Sequence, residues 1–273
     1  MSDKKKTIAV IAAVYDGDDA GIFKKAMDSI FLQTYHDYDV YLYVDAVKNK
    51  DLIKAISIYQ AKTNFFTFYG EERKGLAFGL NYLLDKIKKI NYGYIARMDS
   101  DDISREERFK SQVEFLENNR DVSVVGTNCI EIDGDGNELF HKMMPENHND
   151  IISTVVKRSP FIHPTVMFRG DLIAVLEYNN KLMNTQDYYL WIDLLSKGYK
   201  FHNIQYPHLY FRVNEGFYNR RGLSKVLNEV KSRLYAIHKL DQRYFKSYAY
   251  VVGLIMLRLA PVSIKKYCYK RFR

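Results

Sequence analysis

Two hydrophobic patterns alternate along the first third of the chain. Nearly continuous apolar runs, typical of parallel strands that are buried on both faces, lie at 7–14, 39–44, 65–69 and 94–98. Between them, apolar residues recur every three or four positions, as on one face of an amphipathic helix, at 22–32, 52–59 and 76–87. The alternation predicts an α/β fold with an open, mostly parallel sheet flanked by helices and joined by right-handed crossovers.

The remainder of the chain has longer and more varied segments. Helical patterns are found at 105–117, 184–195 and 222–239. Two strands, at 124–132 and 139–143, flank an Asp-Gly-Asp-Gly sequence. A calcium loop is excluded, because the sequence lacks the required glycine and the final glutamate of such a loop. The sequence therefore predicts a hairpin turn. Residues 142–159 are polar and predict a loop over the site, and the apolar segment at 248–257 is too short to span a bilayer.

These segments predict two parts of unequal size. The larger is a domain at 1–221, which divides into two halves at about residue 130. The smaller is a basic helical extension at 222–273. The extension is expected either to pack on the domain or to lie on a membrane surface, with its basic residues on anionic headgroups.

The fourth apolar run ends in a dense cluster of acids. Asp99, Asp101 and Asp102 fall within four residues, and three carboxylates so close repel one another unless a cation lies among them. Side chains alternate along an extended chain, so Asp99 and Asp101 share one side. Carboxylate oxygens suit Mn²⁺ or Mg²⁺, which often share their coordination with substrate phosphates. The alternative is a polar turn in which Asp102 or Ser104 caps the following helix.

Polar and acidic residues also follow the other predicted strands. Because ligands of open α/β sheets bind beyond the carboxyl ends of the strands, these residues mark one rim of the sheet as the binding side; they are Tyr15, Asp16, Asp45 and the residues at 71–74. No GxGxxG follows the first strand and no GxxxxGK[ST] is present, which excludes two glycine-rich nucleotide loops. The remaining possibility is that side chains and a metal hold a nucleotide.

Charge and cysteine content limit the kinds of partner and site that are expected for this chain. The net charge is +8, yet six basic residues and no acidic one lie at 258–273. This distribution favours an anionic surface as the partner of the tail and not a nucleic acid as the partner of the domain. The two cysteines, Cys129 and Cys268, form no CxxC pattern, which argues against a disulfide framework or zinc site. A cytoplasmic location is expected, since the first apolar run is too short for a signal peptide.

Several motifs occur in a fixed order and spacing over about residues 5–215. They lie at 7–15, 29–35, 44–45, 74–81, 96–102, 108–109, 112, 115–116, 124–126, 163–165 and 186–191. Together they resemble the family 2 glycosyltransferases of the GT-A fold. The resemblance implies a metal-dependent inverting transferase with a nucleotide-binding half at about 5–130 and an acceptor half at about 131–221. Two departures are Arg73, where many relatives have Asn, and Asn214, where some have a metal-binding His.

On the donor side, the resemblance implies a UDP-sugar pocket formed by Ala13, Tyr15, Asp45, Lys74, Asp99, Ser100, Asp101 and Arg212. Asp45 would read the uracil edge. Asp101 would hold Mn²⁺ or Mg²⁺ at the diphosphate, and Asp99 would lie by the ribose or donor sugar as a further metal ligand. Arg212 would contact the diphosphate, or alternatively pair with a surface acid.

On the acceptor side, the resemblance implies that Asp187 is the general base. A carboxylate there would accept the proton of an acceptor hydroxyl as its oxygen attacks the anomeric carbon, with inversion and without a glycosyl-enzyme. The alternative is that Asp187 is merely an acid at a helix N-terminus. His163, Gln186 and Trp191 would lie on this side, and His163 would otherwise be structural.

The resulting hypothesis is an enzyme that moves one galactose or N-acetylhexosamine from a UDP-sugar to a lipid-linked or oligosaccharide acceptor in O-antigen or capsule synthesis. Such an enzyme would act as a peripheral protein on the inner face of the plasma membrane. The absence of QxxRW argues against a processive synthase. Alternatives are a sugar nucleotidyltransferase and a non-catalytic protein that binds nucleotide or carbohydrate.

Overall fold

The computed structural model describes residues 7–182, 185–213 and 223–260. Its strands, in chain order, are β1 Ile8–Tyr15, β2 Tyr38–Asp45, β3 Phe65–Gly70, β4 Tyr94–Arg97, β5 Ile103–Ser104, β6 Val122–Ile132, β7 Glu138–Lys142, β8 Met167–Arg169 and β9 Lys200–Arg212. Its α-helices are α1 Ala20–Phe31, α2 Lys50–Gln60, α3 Leu76–Ile87, α4 Arg108–Asn118, α5 His148–Thr154, α6 Gln186–Ser196, α7 Leu223–Lys239 and α8 Phe245–Leu259.

The strands described form one sheet in the order β3-β2-β1-β4-β8-β6-β9-β5, with β7 paired to β6. The first four in this order are parallel, and β8 joins the sheet antiparallel to both β4 and β6. Strands β6 and β9 are parallel to each other and form the longest pairing. The predicted alternation of parallel strands and helices is therefore confirmed, and β4 carries the acidic cluster at the middle of the sheet.

A hydrophobic core covers each face of the sheet. Side chains of β1 point alternately to the two faces, because this strand is buried on both sides. Ile8 and Val10 pack with α1, α2 and α4 on one face. Ala9 and Ile11 pack with α3 and α6 on the other. The second core also takes in buried residues of α7 and α8. Both cores hold the carboxyl ends of β1, β2 and β4 in fixed relative positions.

One predicted loop is partly helical. Residues 148–154 of the expected polar loop form α5, in which Asn147 caps the helix by accepting from the backbone N–H of Asp150 at 3.1 Å. Ile151 and Val155 are fully buried, and their spacing of four places both on one helical face. The prediction of a loop over the site is wrong there because these two apolar side chains belong to the core.

The predicted hairpin turn is confirmed between β6 and β7. The Asp133 carboxylate accepts from the backbone N–H groups of Asp135, Gly136 and Asn137, each at 2.9 Å. Gly136 has a φ of 99°, which glycine adopts without strain. This local hydrogen bonding explains the turn without a bound calcium ion.

The described part of the C-terminal extension packs on the rest of the chain. On α7, the Arg233 guanidinium lies 4.3 Å from the ring centroid of Tyr188. The Tyr250 hydroxyl of α8 donates to the Lys157 carbonyl at 2.6 Å. None of the helices described combines the length and apolar character needed to cross a bilayer. The basic segment at 261–273 lies outside the described residues.

Candidate active site

The acidic cluster lies directly beyond the carboxyl end of β4. Asp99, Asp101 and Asp102 each present an oxygen, and these atoms lie within 4.8 Å of one another. Asp102 accepts from the backbone N–H of Arg212 at 2.8 Å, while α4 begins after Glu107 without a side-chain cap. The helix-capping alternative for Asp102 and Ser104 is therefore wrong, because α4 starts too far along the chain.

The carboxyl groups of the cluster raise one another's pKa. Burial, followed by the charges of Asp99 and Asp18, raises the pKa of Asp101 to about 7. Burial together with Asp99 and Asp101 raises the pKa of Asp102 well above its usual range. The Oδ2 atom of Asp102 is buried without a hydrogen-bond partner among the described residues. An oxygen-rich, electron-rich group of this kind fits a hard divalent cation such as Mn²⁺ or Mg²⁺.

Arg97 sits beneath the cluster. It is fully buried in β4, and its guanidinium donates to the carboxylate of Asp99 and to the carbonyl of Met98. This ion pair orients Asp99 and leaves Asp101 as the less engaged carboxylate of the two. The sequence pattern contained a signal for Arg97, since a charged side chain within a buried strand is rarely present without a partner.

Ser100, predicted to contact the donor, points to the loop after β1. Its hydroxyl donates to the carboxylate of Asp18 at 2.7 Å, and Asp18 in turn accepts from the backbone N–H of Tyr15 at 3.2 Å. Burial raises the pKa of Asp18 despite these bonds. Asp18 is a member of the site that the sequence analysis did not identify, and it joins the β1 and β4 strand ends.

The remaining donor-side residues lie at the ends of β1 and β2. Asp45 is buried, and its two oxygens accept from the backbone N–H groups of Lys74 and Gly75, each at 2.9 Å. Ala13 is partly buried, and Tyr15 is exposed. The Cζ atom of Arg73 lies over the ring of Tyr15, 4.9 Å from the ring centroid. The structure thus brings Asp45 to the loop that opens α3. The uracil contact of Asp45 stays a prediction.

Lys74 is exposed at the start of α3. Its ammonium lies 4.8 Å from the ring centroid of Phe78. A cation held over an aromatic face is attracted to the ring, yet it keeps its hydrogen-bonding capacity. The contact of Lys74 with a donor stays a prediction.

Arg212 has a different environment from the one expected. Its side chain is buried, and it donates to the carbonyls of Asp101 at 3.0 Å, Asp133 at 2.7 Å and Gly134 at 2.7 Å. Its Nε and Nη1 groups are thus engaged by carbonyls, and a pairing with an acid stays an alternative. The guanidinium ties the acidic cluster to the β6–β7 turn, and contact with a diphosphate stays a prediction.

Asp187 lies in the first turn of α6 and is partly exposed. Burial raises its pKa, and the charge of Asp99 raises it further. The two carboxylates therefore lie within electrostatic reach of each other. The fold thus brings the predicted base and the predicted metal cluster, which are far apart in the sequence, to the same rim.

A second pair of side chains lies next to these carboxylates. The Nε2 atom of His163 forms a hydrogen bond of 2.9 Å with the hydroxyl of Tyr178, and the charges of Arg97 and Asp187 both act on Tyr178. Burial and the nearby Arg97 lower the pKa of His163 well below its usual value, which keeps its imidazole neutral. Tyr178 was missed because one tyrosine in a loop gives no sequence signal.

Trp191 and Gln186 occupy unlike positions on α6. Trp191 is fully buried, with ring centroids 5.0 Å from Phe161 and 5.7 Å from Phe168. The prediction of an acceptor contact for Trp191 is wrong, because the indole fills the core and supports His163 at 5.9 Å. Gln186 begins α6 and is partly exposed, and its buried Oε1 atom has no hydrogen-bond partner among the described residues.

Comparison with known proteins identifies the family. Residues 9–176 match the sequence model of the family described as Glycosyl transferase family 2. The chain belongs to glycosyltransferase family 2. The matched residues include the acidic cluster, Asp45 and His163.

Two relatives of this family 2 glycosyltransferase are from Escherichia coli. The first is UDP-Gal:alpha-D-GlcNAc-diphosphoundecaprenol beta-1,3-galactosyltransferase, 28% identical over 99% of this chain and 98% of that protein. The second is the O-antigen biosynthesis glycosyltransferase WbnJ, 33% identical over 70% of this chain and 72% of that protein. The chain is thus a glycosyltransferase with relatives in surface polysaccharide synthesis, as predicted.

A solved structure supports the fold. Staphylococcus aureus TarS in complex with UDP matches with a TM-score of 0.66 and 15% identity, over 95% of this chain and 77% of that one. This likeness confirms the predicted α/β fold of the GT-A type with helices at its C-terminal end.

Proposed function

We propose that this glycosyltransferase moves a single galactose or N-acetylhexosamine from a UDP-sugar to a lipid-linked or oligosaccharide acceptor, with inversion at the anomeric carbon. The product would enter a surface polysaccharide such as O-antigen or capsule. The enzyme would act as a peripheral protein on the cytoplasmic face of the plasma membrane, where a lipid-linked acceptor is available.

The observation that carries the proposal is the proximity of Asp187 to the acidic cluster. Transfer by single displacement needs a base on the acceptor side and charge stabilisation on the donor side. Asp187 lies in a half-buried helix N-terminus whose surroundings raise its pKa, and the charge of Asp99 reaches it. The proximity supports the proposal because the predicted base and the predicted cation-binding group would act from one rim, as this displacement requires.

Different residues of this chain would act on the acceptor and on the donor. The Asp187 carboxylate takes the proton of the acceptor hydroxyl while that oxygen forms a bond to the anomeric carbon, and the bond from this carbon to the UDP oxygen breaks. Asp99, Asp101 and Asp102 would hold a divalent cation. When bound, such a cation neutralises charge that develops on the departing diphosphate. Lys74 would contribute a further positive charge from the start of α3.

The relatives support the finer choices of donor and acceptor. The first of the two Escherichia coli relatives is named for a UDP-Gal donor and a GlcNAc-diphosphoundecaprenol acceptor, and it covers nearly the whole of this chain. TarS was solved with UDP. These names favour UDP over other nucleotides and a polyprenyl diphosphate sugar over a free one.

A calorimetric panel tests the proposal. UDP, GDP, CDP and ADP are titrated with Mn²⁺ and with EDTA, and UDP-galactose and UDP-N-acetylglucosamine are then tested for transfer to a polyprenyl diphosphate sugar. We expect UDP to bind selectively with Mn²⁺ and one of the two donors to be used. Binding of another nucleotide in preference to UDP, or no nucleotide binding, would overturn the proposed donor.

A further inference from the structure

The outer face of α8 is apolar and uncovered. Phe245 is 86% exposed, Val252 is 49% exposed and Met256 is 65% exposed, and Ala249 between them is also exposed. Their spacings of four, three and four residues place them along one side of a helix. We call these four residues the α8 stripe.

The opposite face of α8 is firmly packed. Val251 and Leu254 are buried in the core. The Arg258 guanidinium forms two hydrogen bonds of 2.9 Å with the Glu229 carboxylate of α7. These contacts fix the rotation of the helix, so the α8 stripe faces outward because of packing. A surface helix of a water-soluble protein normally presents polar residues on that side.

The segment of the sequence that contains the stripe is strongly basic. Residues 222–273 contain twelve Lys and Arg against two acidic residues, and the last acid is Asp241. The net charge of this segment is therefore +10. Residues 1–221 have a net charge of −2, which brings the whole chain to +8. Arg243 and Lys246 are exposed next to Phe245 at the start of α8. Two basic residues thus lie at the start of the α8 stripe, and Arg243 is 3.4 Å from the carboxylate of Asp241.

We propose that the α8 stripe inserts into the headgroup region of an anionic phospholipid bilayer. An amphipathic helix that lies in this region buries its apolar side chains while Lys and Arg meet anionic headgroups. The purpose of this attachment rests on the proposed function, because a lipid-linked acceptor is held at such a surface. A second copy of the chain is a poorer occupant, since self-association would bring two segments of charge +10 together.

Vesicle sedimentation of the full chain tests the inference. Wild type is compared with the double variant Val252→Glu and Met256→Glu, using vesicles of phosphatidylcholine alone and of equimolar phosphatidylcholine and phosphatidylglycerol. The matched control is Ile53→Glu and Ile58→Glu, which adds the same charge at two exposed positions of α2. We expect wild type and control to bind the anionic vesicles in a salt-dependent manner, and the α8 variant to bind at least about tenfold more weakly.

Either of two results would overturn the inference. One is equal vesicle binding by wild type and the α8 variant. The other is a wild-type dimer in sedimentation velocity that the α8 variant dissociates, which would make the stripe a self-interface. Calorimetric UDP binding is measured on the same samples without vesicles, so that equal vesicle binding by wild type and the α8 variant, with intact UDP binding, rejects this inference alone. Intact vesicle binding without UDP binding rejects only the proposed function.

Discussion

The backbone N–H of Arg212 donates to the Asp102 carboxylate, while the Arg212 side chain donates to the Asp101 carbonyl. One residue at the end of β9 therefore holds the acidic cluster at two neighbouring points. Its remaining bonds reach the carbonyls of Asp133 and Gly134. This arrangement makes Arg212 a positioning residue for the cluster, and its effect on transfer is expected to act through Asp101 and Asp102.

Replacement of Arg212 by Lys tests this role. An ammonium cannot reproduce the fork of N–H donors that meets three carbonyls, and the buried carbonyls left unpaired should cost about 2 kcal/mol of unfolding free energy. We expect a lower melting temperature together with weaker Mn²⁺-dependent UDP binding. A variant that melts like wild type but loses kcat would instead assign the guanidinium to the diphosphate.

Asp187→Asn tests the base. The amide keeps the size of the side chain but cannot accept the hydroxyl proton, so transfer should fall by about a thousandfold. UDP affinity in the presence of Mn²⁺ should remain within about twofold, since the metal cluster is untouched. The control is Asp171→Asn, at an exposed position. Loss of UDP binding in the Asp187 variant would remove Asp187 from this role.

The pH dependence of kcat provides a separate test of Asp187. The base acts only when ionised, and its surroundings raise its pKa. With donor, acceptor and metal saturating, kcat should therefore fall as the pH is lowered through this raised pKa, at a higher pH than for an ordinary carboxylate. A rate that stays constant down to the usual carboxylate range would contradict the assignment.

Asp101→Asn tests the metal site. The pKa of Asp101 is raised to about 7, so a cation must displace a proton below that pH. Wild-type Mn²⁺ affinity should increase as the pH rises to about 7 and then level off. The variant should bind Mn²⁺ at least about tenfold more weakly, with this pH dependence diminished. Identical Mn²⁺ titrations of the two proteins would show that Asp101 is not a ligand.

Tyr178→Phe tests the His163 pair. The change removes the hydroxyl that bonds to His163 and keeps the ring. If the pair orients the acceptor, the acceptor KM should rise several-fold while the donor KM stays the same, with a stability loss of about 1 kcal/mol. Tyr59→Phe is the control, because it removes a hydroxyl bond between Tyr59 and Lys24. An acceptor KM raised equally in both variants would point to a general structural effect.

The parts of the fold that could be predicted depend on local patterns. The alternation of buried runs and amphipathic segments lies within short windows, so β1 to β4 and α1 to α3 were predictable. Strand β8 has three residues and pairs with both β4 and β6, and a segment so short has no periodicity to detect. Helix α5 was missed because its 7 residues make only about two turns, too few to show a helical repeat.

The candidate site divides in the same way. The acidic cluster is contiguous in the sequence and could be recognised by itself. The placement of Arg212 depends on a hydrogen bond between residues 110 positions apart, and the burial of Trp191 depends on rings from three other segments. The contacts of Arg212 leave no pattern in the sequence. A tryptophan within an apolar helical stripe is in any case more often a core residue.

The separation between Asp102 and Arg212 has a consequence for synthesis of the protein. A ribosome adds about 5–20 residues per second, so the acidic loop leaves it several seconds before the β9 residue that holds it. During that interval the carboxylates lack their anchor, and Asp187 arrives only shortly before Arg212. A nascent chain therefore cannot complete the contacts that hold the acidic loop until residue 212 has been added.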